Sequence, residues 1–176
     1  MKKLLPAFLF CLLFSVSANA KILVSSPDFR PNQTIPHKNI FNGFGCEGGN
    51  ISPEINIKDV PQGAKSLALT IYDPDAPTGS GWWHLITYNI PVNTIKIKAG
   101  ELNKTDKFSF GKNDYGNFGY GGPCPPLRHG SHRYIVTIFA LDKKLELSEN
   151  SSAALIGFNI NSSTIDKYSF TSIYQR

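Results

Sequence analysis

The run from Arg133 to Leu141 (Arg-Tyr-Ile-Val-Thr-Ile-Phe-Ala-Leu) holds no glycine, proline or asparagine and is dominated by β-branched and aromatic side chains. Branching at Cβ restricts χ1 against a helical turn but packs well on a pleated surface, so the run predicts a strand. One strand cannot persist alone; it needs a sheet of three or more with an apolar face. Two further runs supply partners. Ser66–Asp73 alternates with period two, so Leu67, Leu69 and Ile71 share one face, and Asp73 continues that face at the strand end. Trp82–Ile90 is a second aromatic and β-branched segment, stopped by Pro91. Ile22–Val24 and Tyr168–Tyr174 are weaker candidates. One helix is expected near the C-terminus, capped by Ser148, with Ala153, Ala154, Leu155 and Phe158 as its apolar stripe and a break over Asn159–Ser163. The pattern predicts a mostly-β domain, a sandwich or barrel with one or two short helices.

The N-terminus has the three parts of a secretory signal. Lys2 and Lys3 give the charged start, Leu4–Val16 an apolar stretch too short to span a bilayer, and Ala18-Asn19-Ala20 the small residues a signal peptidase needs. Residues 1–20 are therefore expected to be a signal peptide, and 21–176 one domain in a periplasmic or secreted protein. No later stretch is apolar enough to be a transmembrane segment. Lys2 and Lys3 supply two of the formal +5 charges, and what remains forms no dense basic run, so nucleic acid is not an expected partner. Cys11 leaves with the signal. Cys46 and Cys124 remain, a disulfide candidate in an oxidising compartment, with two buried free thiols as the alternative. Asn-x-Ser/Thr matches stand at Asn32, Asn50, Asn103, Asn150 and Asn161, and matter only in a glycosylating host.

Two long irregular stretches, Ile40–Pro53 and Gly111–Gly130, interrupt the strands; in a compact domain such loops are usually functional or disordered, and the aromatics Phe110, Tyr115, Phe118 and Tyr120 argue for order. Around them lie three clusters. Asp73-Pro74-Asp75-Ala76-Pro77 is a rigid turn that fixes two carboxylates at the end of a strand. Trp82-Trp83-His84 opens the next strand, with Trp82 and Ile86 expected on the face of His84. The third is Tyr120-Gly121-Gly122-Pro123-Cys124-Pro125-Pro126, followed by Gly130-Ser131-His132-Arg133-Tyr134. There glycine permits close backbone approach and proline removes mobility. On an extended chain His132 and Tyr134 point to one side. Arg133 points to the other, as a structural ion-pair partner rather than a ligand contact.

Taken together, these clusters resemble the phosphatidylethanolamine-binding protein family, also called Raf-kinase-inhibitor-like. Its marks are Asp-Pro-Asp-Ala-Pro, Trp-x-His at the next strand, and a Gly-Pro-x-Pro-Pro loop running into His-Arg-Tyr. All occur here in order, and the resemblance runs over roughly 22–174. Phe41–Cys46 with Asn50–Pro53 looks like the bacterial branch, which often carries a signal peptide; Leu85 and Ile57 stand where relatives often have an aromatic. The resemblance implies a β-sandwich with short peripheral helices, one near the C-terminus. It also implies a small surface pocket for phosphate, phosphorylated headgroups or other small anions. Carried over residue by residue, the ligand-binding positions are Asp73, His84, Cys124, Pro126, His132 and Tyr134. Asp75, Trp82 and Gly122 are their support.

In such a pocket His84 and His132 would donate and could become cationic near neutral pH. Tyr134 would add a hydroxyl, and N–H groups of the Gly/Pro loop would add more donors. Asp73 would either fix a histidine tautomer or accept from a ligand ammonium group. No cofactor and no metal are expected, and no Gly-x-Ser-x-Gly elbow marks a nucleophile, so the chain reads as a binding protein and not an enzyme. The alternatives are an interaction module inhibiting a kinase or protease and, further off, a hydrolase.

Overall fold

The computed structural model describes residues 21–176. The expected signal peptide, 1–20, lies outside the described residues. The strands are β1 (Leu23–Ser25), β2 (Asn42–Gly43), β3 (Cys46–Glu47), β4 (Ile55–Lys58), β5 (Ser66–Asp73), β6 (Trp82–Ile90), β7 (Lys96–Ile97), β8 (Ser109–Phe110), β9 (His132–Leu141) and β10 (Thr164–Tyr174), with one helix, α1 (Ala153–Ser162), between β9 and β10. Short 3-10 turns at His37–Asn39 and Glu101–Asn103 complete the helical content among the described residues.

The three runs singled out above form the centre of a five-stranded antiparallel sheet in the order β10-β9-β5-β6-β8. A three-stranded sheet, β1-β4-β7, and a two-stranded hairpin, β2-β3, accompany it. Leu67, Leu69 and Ile71 of β5 and Tyr134, Val136, Ile138 and Ala140 of β9 all lie in the main apolar core. Ile22, Val24, Ile55, Ile57 and Ile97 of the small sheet and its flanks join them there. This is the expected mostly-β sandwich. Each fully buried Leu or Ile contributes roughly 1.5–3 kcal/mol of transfer free energy, and that burial holds the two layers together.

On the other face of the main sheet, Ile156 and Ile160 of α1 pack with Ile86, Tyr88, Phe139 and Ala68. Here the structure corrects the sequence reading. The N-cap is Ser152, whose Oγ accepts from the Leu155 N–H at 3.2 Å; Ser148 instead closes the preceding turn through the Ser151 and Asn150 amides. The helix runs on through the Asn-rich segment, where the Asn159 and Asn161 side chains donate back to carbonyls four residues earlier. Its buried face is Ile156 and Ile160, while Leu155 and Phe158 are exposed.

A second correction concerns β6. Ile71 pairs with Leu85 but Tyr72 pairs with Trp83, so His84 is an extra residue with no opposite number. A bulge of this kind places two consecutive side chains on one face and re-aims the strand. Leu85 therefore enters the main core and Ile86 the outer cluster, and Ile86 does not share the face of His84.

Candidate functional pocket

The start of β6, the start of β9 and the end of β5 meet at one end of the sheet. A pocket of about 270 Å³ opens there, lined by strand residues Asp73, Trp82, His84, His132 and Tyr134, by Ala76–Thr78 of the Asp-Pro turn, by Cys124–Pro126, and by Phe44 and Tyr115. Of the residues carried over from the sequence, Asp73, His84, Cys124, Pro126, His132 and Tyr134 all line it, and so does Trp82. Asp75 and Gly122 lie behind the wall.

Asp73 is 3% exposed and both of its oxygens are engaged. Oδ2 accepts from His132 Nδ1 at 2.7 Å, and Oδ1 accepts from the Asp75 amide at 2.8 Å. Of the two roles considered for this carboxylate, fixing a histidine tautomer is the one its contacts perform. Asp75 faces outward and makes a two-pronged ion pair with Arg133, Oδ2 accepting from Nε at 2.9 Å and Oδ1 from a terminal nitrogen at 2.7 Å. Arg133 is thus the structural partner its strand parity predicted.

His84 donates through Nδ1 to the Gly121 carbonyl at 2.7 Å. A carbonyl only accepts, so Nδ1 carries the proton and the neutral ring leaves Nε2 as an acceptor. Burial pushes this histidine down to about 4, against a smaller opposing pull from the carbonyl. The expectation that His84 becomes cationic near neutral pH is corrected: at neutral pH it is an uncharged acceptor.

Tyr134 is fully buried, its ring edge-on to His84 at 5.1 Å between centroids, and its hydroxyl has no hydrogen-bond partner. Burial raises its pKa, so it remains a phenol and a donor. The indole Nε1 of Trp82 is likewise buried without a partner. Both residues line the pocket, and both donor atoms are themselves buried in its wall. Burying such a group unpaired costs about 1–3 kcal/mol, which a ligand or water accepting from it would offset.

The glycine–proline loop contributes fewer donors than the sequence suggests. The Gly121 amide donates to the His84 carbonyl and the Gly122 amide to Asn50 Oδ1, and prolines have none. Cys124 has the one amide between Gly121 and Pro126 without a partner among the described residues. Gly122 is needed for closeness: a Cβ there would sit 2.2 Å from the Asn39 carbonyl oxygen and 2.6 Å from the Phe41 nitrogen. Asn50, one of the glycosylation matches, spends its side chain on this loop, and Asn103 spends its own on the Ser52 amide and the Asn50 carbonyl.

Cys46 and Cys124 are joined in a disulfide, with Cα atoms 6.0 Å apart. It ties the β2–β3 hairpin, which carries Phe44, to the pocket rim. The guanidinium of Arg176 makes the same connection, donating to the carbonyls of Pro125 and Gly45, each at 2.7 Å.

Three contributors were missed by sequence reasoning. Tyr115 stacks on Phe41 at 3.9 Å, meets Trp82 edge-on and donates to the Gly122 carbonyl at 2.8 Å. Phe44, 71% exposed, forms part of the wall. His129 does not line the pocket but places Nδ1 2.8 Å from Nε2 of His132. The spacing His129-Gly130-Ser131-His132 was a signal that could have drawn attention to it. Among the described residues no group of three or more His, Cys, Asp or Glu is arranged to hold a metal ion, and no helix is long and apolar enough to cross a membrane.

The pocket at the strand ends is walled by aromatic side chains and braced at its rim, the concave and mostly apolar form that ligand sites take. The chain belongs to the phosphatidylethanolamine-binding protein family, whose model matches residues 25–175. It is 38% identical to the UPF0098 protein YbcL of Escherichia coli over 99% of both chains, and 40% identical to YbhB of the same organism over 85% of this chain and 97% of that one. The crystal structure of YbcL, described as a new member of the mammalian PEBP family, superposes with a TM-score of 0.84, covering 89% of this chain and 99% of that chain. The Chlamydia trachomatis homologue CT736 superposes at 0.77 with 29% identity, covering 89% and 99%. The family is named for the binding of phosphatidylethanolamine.

Proposed function

We propose that this protein binds a small ligand through a phosphoryl group, and that a zwitterionic head of the phosphoethanolamine kind suits the pocket better than the bare phosphate dianion. The observation that carries this reading is the pairing of two buried, partnerless donors, Tyr134 Oη–H and Trp82 Nε1–H, at one pocket. Phosphoryl oxygens accept from such donors.

The charge balance supports the second half of the reading. No Lys or Arg lines the pocket, and Asp73 brings a negative charge. His84 is held neutral by burial at physiological pH. A dianion would find little compensation there. A ligand with an ammonium group would have the aromatic faces of Trp82, Tyr115 and Phe44 for its cation and His84 Nε2 as an acceptor. The ligand is the same chemistry whether it arrives as a lipid headgroup or as a free phosphomonoester. Titration calorimetry with phosphoethanolamine and with inorganic phosphate tests the reading. It expects heat for both and a lower Kd for the former, and no binding of either would overturn it.

Residues 1–20 act in this account as a cleaved export signal, and the protein works in the periplasm or outside the cell. The Cys46–Cys124 disulfide supports that placement, since such bridges persist in oxidising compartments.

A further inference from the structure

The β2–β3 hairpin turns through two residues, Phe44 and Gly45, between the paired positions Gly43 and Cys46. Their φ values are 54° and 79°. Positive φ at both central positions is the type I′ turn, whose twist matches that of a hairpin; it favours Asn, Asp or Gly first and Gly second. Gly45 fits that preference and Phe44 does not. Among the described residues six non-glycine positions have φ in the left-handed region. Four are Asn or Asp, whose short polar side chains tolerate it, and Phe44 is the one apolar member.

Packing does not account for a phenylalanine here. Its ring lies 5.7 Å from Phe41 and 5.5 Å from Tyr115 between centroids, yet the residue stays 71% exposed. The hairpin is nonetheless mounted firmly. Cys46 is bonded to Cys124 of the rim, and Arg176 donates to the Gly45 and Pro125 carbonyls at 2.7 Å each. A strained backbone and a fixed mounting thus hold an aromatic ring against solvent at the wall of the pocket. Strain of this kind persists where the surrounding structure over-determines it, and it clusters at ligand sites.

We propose that Phe44 is a specificity-determining residue, kept in a turn that disfavours it because its ring contacts the organic substituent of a phosphorylated ligand and not its phosphoryl group. This role rests on the phosphoryl reading above. The pocket wall runs from Tyr134, fully buried, to Phe44, largely exposed. With the phosphoryl oxygens at the buried donors, the rest of the ligand leads outward past the ring. An ammonium group on that part gains a cation–π contact with Phe44, whereas inorganic phosphate has no part that extends so far. At this one position the preference of the turn and the needs of the ligand are opposed.

Phe44→Asn gives the turn a side chain it favours and removes the ring. Calorimetric titration of phosphoethanolamine and of inorganic phosphate, with a thermal melt of each protein, tests the role. The variant should melt at the wild-type temperature or above it. Its Kd for phosphoethanolamine should rise about two- to fivefold, the worth of one exposed cation–π contact, while its Kd for phosphate stays at the wild-type value. Phe44→Tyr keeps the ring and should bind both as wild type does. If wild type binds phosphoethanolamine and Phe44→Asn binds it equally well, or loses both ligands alike, the role is overturned and the phosphoryl reading stands. A lower melting temperature in Phe44→Asn would make Phe44 a structural residue and also overturn the role. Wild type that binds neither probe would overturn the phosphoryl reading and this role with it.

Discussion

Asp73 and His132, on neighbouring strands, share a 2.7 Å hydrogen bond in which the carboxylate accepts from Nδ1, with neither residue more than 3% exposed. Truncating His132 to Ala strands that buried carboxylate. Losing one partner of a buried charged pair typically costs about 3–5 kcal/mol. We expect His132→Ala to lower unfolding free energy by several kcal/mol in urea denaturation, and the Asp73→Asn, His132→Gln double variant to recover most of it. Equal stability of wild type and His132→Ala would show that the pair carries no such load.

His84 makes stability depend on acid. Its folded pKa of about 4 lies below its ordinary value of 6.5. Between those values the unfolded chain binds the proton and the folded chain does not. Stability is therefore full above about pH 6.5 and falls as pH drops towards 4, by up to about 3 kcal/mol. Denaturation midpoints at pH 7 and 4.5 should differ less in His84→Gln than in wild type; an identical pH slope would refute this.

The disulfide should matter for both fold and pocket. It spans 78 residues of sequence, and in the chain-entropy model closing such a loop is worth at most about 4.5 kcal/mol. Cys46→Ser with Cys124→Ser should lower the melting temperature and weaken ligand binding, since the Phe44 hairpin then loses its covalent tie to the rim and is held there by non-covalent contacts, those of Arg176 and the Phe44–Tyr115 packing among them. Two free thiols in the unfolded, unreduced protein would contradict the bridge.

Export is checked by N-terminal sequencing of protein recovered outside the cytoplasm. The first residue should be Lys21; a chain still starting at Met1 would count against cleavage after Ala20.

Much of this was legible in the sequence because period-two alternation places side chains by parity. Asp73 follows Leu67, Leu69 and Ile71 to the same face, and His132 and Tyr134 share theirs. Parity failed at His84, where a bulge adds a residue that alternation cannot anticipate. It also gave no help in the loops, where Tyr115 and Phe44 are placed by tertiary contacts between segments distant in the chain. The helix was found but turned wrongly. Its apolar residues occur on two sides, and only packing against β6 decides that Ile156 and Ile160 go inside. The glycine–proline loop looked like a cradle of amides, but Asn50 and the His84 carbonyl consume the two that matter.

The central claim is that Tyr134 keeps a buried hydroxyl for the ligand and not for the fold. Calorimetric titration of phosphoethanolamine into wild type and Tyr134→Phe, with the melting temperature of each, tests it most directly. Removing a buried hydroxyl that has no protein partner should leave stability unchanged or raise it, while binding weakens by about 1–3 kcal/mol. A Tyr134→Phe protein that binds as tightly as wild type would contradict the account.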